Sequence, residues 1–168
     1  MYLGVAYYPE HWDEQDWERD ASLMSEAGLN IVRLAEFAWS QCERTEGQFS
    51  FDWLDRVLGI LAQRGLKALL CTPTATPPPW LTQKHPSILP VDQSGVVMSP
   101  GSRRHYCPSS PIYRDYASKI VQAMVDHVRD NETVVGWQID NEFGCGNTAR
   151  CYCNDCRAAF RKWLRKRY

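Results

Sequence analysis

Apolar runs alternate with amphipathic segments along most of the chain. The apolar runs predict four β-strands, at residues 3–7, 29–35, 66–71 and 133–140. Apolar positions at helical spacing predict helices that begin after Asp13, begin at Asp52, span residues 112–129 and run from about residue 157 to the end. The second run is almost continuously apolar, which is typical of a strand covered on both faces of its sheet.

Strand and helix alternate strictly, and this order predicts an α/β fold with a parallel sheet. Gly28 and Gly65 each end a helix and are followed at once by a strand, so the connections from helix to strand are short. The connection after the third strand, residues 72–111, is long and rich in proline. Function is therefore expected at the carboxyl ends of the strands.

This asymmetry of connections is typical of a (β/α)8 barrel, although doubly wound sheets share it. A barrel needs eight strands and about 250 residues, whereas this chain has 168 residues and four predicted strands. The last predicted helix reaches Tyr168 without a capping residue. We therefore expect a truncated chain, the first half (about four βα units) of a (β/α)8 barrel. The alternative is an open four-stranded sheet.

Charge and composition argue against several classes of function. Basic and acidic residues number 19 and 20, so the net charge is −1 and no overall field attracts nucleic acid or an anionic membrane. No apolar stretch of about 18 residues could cross a bilayer, and the N-terminus lacks a secretion signal. Seven cysteines, an odd number, favour free thiols and a metal in a reducing compartment. These features predict a cytoplasmic protein.

The strongest catalytic signal lies at the end of the fourth predicted strand. Apolar residues there give way to Asp140, Asn141 and Glu142. In a barrel this end of the strand points into the mouth of the active site. A carboxylic acid shielded from water can donate a proton to a leaving oxygen, and a neighbouring amide can bond a substrate hydroxyl. The alternative is a turn in which Glu142 is solvated.

Glycoside hydrolysis needs a second carboxylate across the scissile bond. Asp140 and Glu142 belong to one strand and approach from the same side, so they are poor partners for each other. Glu36 is better placed, at the end of the second predicted strand. We expect the partner to lie beyond residue 168, with Glu36 as the alternative.

A second chemical signal is a cluster of cysteines. Cys151, Cys153 and Cys156 fall within six positions, and Cys107 lies in the long loop. Four thiolates predict a tetrahedral zinc site that would pin the loop after the third strand to the loop after the fourth. Such a site is structural, because four protein ligands leave no position open for catalysis. Cys145 is an alternative fourth ligand, and a set of reduced surface thiols is the alternative to a metal site.

The chain also has seven tryptophans; a core can absorb some of them, but so many also suit a site that binds a sugar ring. Trp12, Trp39 and Trp80 fall in predicted loops after strands. A large apolar ring in such a loop could stack on a sugar.

Five ordered motifs resemble the N-terminal part of the glycoside hydrolase family 42 β-galactosidases. They are YYPEHW at residues 7–12, VRLAEFAW at 32–39, TATPPPWL at 74–81, NEFG at 141–144 and CYC at 151–153. An Asn-Glu pair alone occurs in many retaining glycosidases, whereas the whole ordered set is far more specific. The resemblance extends from residue 1 to residue 168.

The resemblance implies that residues 1–168 are the N-terminal part of a single (β/α)8 glycosidase catalytic domain of a retaining β-galactosidase. By this resemblance Glu142 is the acid/base, Asn141 bonds the sugar and Arg33 contacts galactose hydroxyls. The family's nucleophilic glutamate follows strand seven and lies outside residues 1–168. The resemblance further implies a zinc site with Cys107 as first ligand and a homo-oligomer, a trimer.

Three functions follow from these observations. The first is the N-terminal part of a β-galactosidase that hydrolyses terminal non-reducing β-D-galactosides, with the 168-residue chain inactive by itself because it lacks the nucleophile. The second is a related retaining glycosidase acting on β-fucosides or α-L-arabinopyranosides. The third is a binding module that is stapled by zinc and has no catalytic activity.

Overall fold

A computed structural model describes residues 1–101, 103–144 and 150–168. Its sheet has four parallel strands in the order β1-β2-β3-β4, each neighbour in space being the next in sequence. The strands are β1 (Gly4–Ala6), β2 (Ile31–Leu34), β3 (Lys67–Cys71) and β4 (Val134–Gln138). All four predicted strands are thus present, each shorter than predicted by one to three residues.

The described residues form six helices, which follow the strands or extend the loops. They are α1 (Glu14–Glu26), α2 (Trp39–Cys42), α3 (Asp52–Gln63), α4 (Pro79–Lys84), α5 (Pro111–Val128) and α6 (Asn154–Arg167). The long stretch predicted as irregular contains α4 and two 3-10 turns, Pro73–Ala75 and Pro86–Ile88. Prolines open these short elements because a first-turn residue needs no N–H donor. No helix in the described part of the chain is long and apolar enough to cross a membrane.

Glycine residues contribute to the formation of the sheet in two ways. Gly28 and Gly65 have φ values of +79° and +70°, the left-handed conformation that ends the preceding helix. At Gly4 a Cβ atom would lie 2.1 Å from the carbonyl oxygen of Ile31, so only glycine permits β1 to approach β2 this closely.

The core lies between the sheet and its helices. Alternate strand residues, including Val32, Leu34 and Leu70, are fully buried on the side that α3 covers. The residues that point the other way, such as Ala6, Arg33 and Leu69, line an open concave face with a cavity of about 370 Å³. The expectation that β2 is covered on both faces is therefore met on the helix side only. This concave face corresponds to the interior of a barrel, which further strands would fill.

Candidate active site and metal centre

A tight turn follows β4 and carries the predicted catalytic residues. The strand ends at Gln138, two residues earlier than the sequence predicts. Asp140 and Glu142 have φ values of +57° and +45°, in the left-handed region that few non-glycine residues adopt. The Asp140 amide donates to Thr72 Oγ1 at 2.7 Å, which ties the turn to the end of β3. Asp140 and Glu142 therefore do not share one face of an extended strand.

Glu142 contacts Arg103, a residue that lines a cavity of about 470 Å³. The Glu142 side chain is 53% exposed, so the shielding expected from the sequence is not supplied by the described residues. Its carboxylate accepts a hydrogen bond at 3.4 Å from Arg103 Nη1, a guanidinium that is itself half-exposed. Arg103 also lies over the ring of Phe37, and both line the cavity together with Tyr8. Sequence reasoning missed Arg103, which lies inside the long loop without a recognisable motif.

Asn141 is almost fully buried beside Glu142, with 7% of its surface exposed. Gln138 Nε2 donates to Asn141 Oδ1 at 3.3 Å and to the Asp140 carbonyl at 2.8 Å. The amide of Asn141 is therefore held in one orientation by the end of β4.

Arg33 lies on the concave face of β2 and connects two strands. Its Nη2 donates to Glu36 Oε1 at 2.8 Å, and its Nη1 donates to Gln138 Oε1 at 3.1 Å. Since Gln138 in turn holds Asn141, a chain of hydrogen bonds runs from Glu36 to the residue next to Glu142. The structure thus brings two predicted sugar-binding residues, Arg33 and Asn141, into one network.

Glu36 is fully buried. Oε1 accepts from Tyr8 OH at 2.9 Å as well as from Arg33. Burial and the nearby carboxylate raise the pKa of Tyr8, so its phenol remains a donor. This geometry suits Glu36 to orienting Arg33 and makes it a poor partner for Glu142 across a bond.

Glu10 is a buried carboxylic acid that sequence reasoning passed over. It lies in the 3-10 turn Pro9–His11 after β1, and neither carboxylate oxygen has a hydrogen-bond partner among the described residues. Burial raises its pKa from 4.5 to about 7; its own backbone amide opposes the shift and the charge of Glu36 adds to it.

We expect the stability of the protein to fall as pH rises from about 4.5 to about 7. The folded chain holds the Glu10 proton more tightly than the unfolded chain, so the destabilisation is absent below pH 4.5 and complete above about pH 7. This shift corresponds to about 3 kcal/mol. Urea unfolding at several pH values should show the slope, and Glu10→Gln should remove it. The exposed control Glu18→Gln should retain the slope; equal slopes in all three proteins would contradict this assignment.

Of the three tryptophans predicted to be able to stack on a sugar, two are held in the protein and one is exposed. Trp39 is fully buried and donates from Nε1 to Glu43 Oε2 at 2.8 Å, so it cannot stack on a sugar. Trp80 donates to the Glu43 carbonyl at 2.9 Å and packs against the core. Trp12 is 61% exposed, so its ring remains accessible.

The four predicted metal-binding cysteines converge. The Sγ atoms of Cys107, Cys151, Cys153 and Cys156 all lie within 4.8 Å of one another. Cys107 Sγ is 3.4 Å from the Sγ atoms of both Cys153 and Cys156. Four thiolates around zinc, with bonds of about 2.3 Å, require sulfur separations of about 3.8 Å. The donor set and its spacing therefore fit a tetrahedral metal. The alternative ligand Cys145 lies outside the described residues.

Backbone contacts hold the cysteine cluster in place. Cys153 caps α6, its Sγ accepting from the Cys156 amide at 3.4 Å. The Val91 amide donates to Cys151 Sγ at 3.3 Å, and the Cys107 amide donates to the Ile88 carbonyl. Burial and the adjacent thiols raise the pKa of Cys107, so a bound cation would be needed to favour its thiolate. The cluster joins the long loop to the start of α6.

The parallel sheet and the polar residues gathered after its strands define the class of protein. Four consecutive βα units with a concave apolar face, and an amide, a carboxylate and a guanidinium at the carboxyl ends, are features of (β/α)8-barrel proteins.

Comparison with known proteins narrows the class to a family. The sequence model of glycoside hydrolase family 42, described as beta-galactosidase, matches residues 6–168. The chain belongs to this family. It is 51% identical over its full length to the beta-galactosidase Bga of Halorubrum lacusprofundi and covers 24% of that protein. It is 52% identical over 166 residues to a beta-galactosidase of Thermus thermophilus, covering 99% of this chain and 26% of that protein.

Solved structures agree with the sequence comparison. The structure of the Halorubrum lacusprofundi beta-galactosidase has a TM-score of 0.96 at 51% identity and covers 100% of this chain and 25% of that one. The beta-galactosidase of the psychrophilic Marinomonas ef1 also has a TM-score of 0.96, at 46% identity, covering 100% of this chain and 26% of that one. The chain thus spans about a quarter of the length of the relatives it matches, and the prediction of part of a (β/α)8 barrel is confirmed.

Proposed function

We propose that this chain is the N-terminal part of the catalytic barrel of a retaining β-galactosidase that hydrolyses terminal non-reducing β-D-galactosides. The observation that carries the proposal is the Asn141-Glu142 pair, which directly follows the end of β4 in a chain of this family, with Glu142 in contact with the cavity-lining Arg103. The substrate class is taken from the relatives, which are named beta-galactosidases.

Each polar residue of the site then has a task. Glu142 is the acid/base: it first protonates the glycosidic oxygen and later activates water against the glycosyl-enzyme. Its half-exposed carboxylate suits the second step, which needs access to water. Asn141 and Arg33 bond sugar hydroxyls from fixed orientations, and Arg103 places a positive charge on the rim of the same cavity.

The nucleophile is proposed to come from a part of the protein outside these 168 residues. Two other carboxylates that follow the strands, Asp140 and Glu36, are unsuitable. Asp140 is buried and paired with Arg104, and Glu36 is buried and paired with Arg33. The 168 residues by themselves are therefore expected to be inactive.

The cysteine cluster is proposed to hold one structural zinc ion. Cys107, Cys151, Cys153 and Cys156 supply a complete tetrahedral donor set, so no position remains for water or substrate. The ion would fix the long loop, which also carries Arg103, against the start of α6. Its task is thus to keep the rim of the cavity in place, without taking part in the reaction.

The remaining properties follow from the same assignment. The partner is a galactoside, and the net charge of −1 favours neither nucleic acid nor a membrane surface as a ligand. We place the protein in the cytoplasm, where thiols stay reduced. We propose a homo-oligomer for the complete protein, a trimer by resemblance to the family.

The proposal is tested on the complete protein with aryl β-D-galactosides, β-D-fucosides and α-L-arabinopyranosides. We expect the highest kcat/KM with the galactoside, and proton NMR should show the β-anomer as the first product. The α-anomer as first product would exclude a retaining mechanism. A preference for one of the other two glycosides would redirect the substrate assignment, and a folded protein inactive on all three would favour a binding module.

A further inference from the structure

The carboxylate of Asp140 is the most highly connected acceptor in the turn after β4. Oδ1 accepts from Arg104 Nη1 at 2.9 Å and from the backbone N–H of Asn141 at 2.7 Å. Oδ2 accepts from Thr74 Oγ1 and from Tyr106 OH, both at 2.8 Å. Each oxygen already accepts two hydrogen bonds within the protein, so the buried Asp140 carboxylate is committed to these donors and is not offered to a sugar.

The partners of Asp140 come from the loop after β3 and are themselves held firmly. The ring of Tyr106 stacks on that of Tyr113 with centroids 4.0 Å apart, and Tyr113 OH donates to the Thr74 carbonyl at 2.9 Å. Arg104 also donates to the Asn141 carbonyl, so one guanidinium binds both the Asp140 carboxylate and the backbone carbonyl of Asn141. Together these donors form a hydrogen-bonded frame around one carboxylate.

This frame surrounds an unusual backbone. Asp140, Glu142 and Arg104 all have positive φ, between +45° and +57°. A non-glycine residue remains in this region only when its surroundings hold it there. In this turn the hydrogen bonds that the Asp140 carboxylate accepts from Arg104 and from the backbone N–H of Asn141 supply that constraint. Glu142 follows directly after Asn141. Without these hydrogen bonds the turn can relax, and the Glu142 carboxylate would move.

We infer that Asp140 is a positioning residue for Glu142: its buried, Arg104-neutralised carboxylate holds the left-handed turn that aims the acid/base at the glycosidic oxygen. This inference rests on the proposed function, because it needs Glu142 to be the proton donor. Misplacing a general acid by about 1 Å costs on the order of 100-fold in rate.

Asp140→Asn in the complete protein tests the inference, because the amide keeps the size but replaces one acceptor oxygen by a donor. We expect kcat/KM to fall about 100-fold for alkyl galactosides, whose leaving groups need a proton, and less than about 5-fold for dinitrophenyl galactoside. The change should appear in kcat and leave KM within about 3-fold. Asp20→Asn is the matched control, since Asp20 likewise accepts from a tyrosine, Tyr7, at 2.8 Å, but on α1; it should leave both substrates unaffected.

Equal losses for both substrates, matching the loss of folded protein by circular dichroism, would overturn the inference. If Asp140→Asn does not fold, Tyr106→Phe decides, since it removes one hydroxyl donor and should cause a smaller loss with the same dependence on leaving group. Glu142→Ala is measured in parallel. If the loss depends on the leaving group in Glu142→Ala but not in the Asp140 or Tyr106 variant, the positioning role of Asp140 is refuted and the proposed function stands. If the loss does not depend on the leaving group in Glu142→Ala either, the proposed function is refuted.

Discussion

Glu142→Ala in the complete protein is expected to slow cleavage of galactosides with poor leaving groups by about 10²–10⁴-fold, the usual contribution of a general acid. Activated aryl galactosides need little protonation in the first step, so they should retain more of their glycosylation rate. Added azide should restore turnover of these substrates and yield the β-galactosyl azide. A small anion can attack the glycosyl-enzyme without the base that the variant lacks.

Steady-state kinetics over a series of leaving groups, with and without azide, measure this result. Glu26→Ala on the exposed face of α1 is the control and should behave as the unmodified protein. If Glu142→Ala lost all substrates equally and azide had no effect, Glu142 would not be the acid/base.

Replacing a cysteine of the metal cluster is expected to cause the largest loss of stability. Cys153→Ala removes one of four ligands and the cap of α6, and should release the zinc. A structural zinc supplies about 10–16 kcal/mol in small zinc-finger peptides. Because this protein has a separate core, we expect a smaller loss of unfolding free energy, on the order of 5 kcal/mol.

Metal analysis of freshly reduced protein should find one zinc per chain, and Cys153→Ala should contain almost none. Hydrogen exchange should speed up in the loop that carries Ile88, Val91 and Cys107, because these residues are joined to the cluster. Cys42→Ala is the matched control, since Cys42 is a buried thiol outside the cluster and should leave the zinc in place. Unmodified, freshly reduced protein without zinc would contradict the assignment.

Local sequence patterns were enough to predict the architecture. The apolar runs located all four strands, and the helical spacing of Leu54, Leu58 and Leu61 located the buried face of α3. Gly28 and Gly65, which the sequence predicts to end helices, both adopt positive φ. Such features are legible in sequence because each depends on a few neighbouring residues. The cysteine spacing likewise singled out a loop with three of the four candidate metal ligands.

The site depended on contacts between distant segments. Cys107 meets Cys153 across 46 positions, and Arg104 meets Asp140 across 36, so no local pattern reports either distance. The burial of Glu36 and Glu10 likewise depends on which loops fold over them. The residue types at the ends of the strands, and the alternation of strands with helices, were therefore legible in the sequence read locally. Which carboxylate is paired, buried or open to a substrate was decided only by the tertiary structure, because long-range packing sets the solvent and the partners of each side chain.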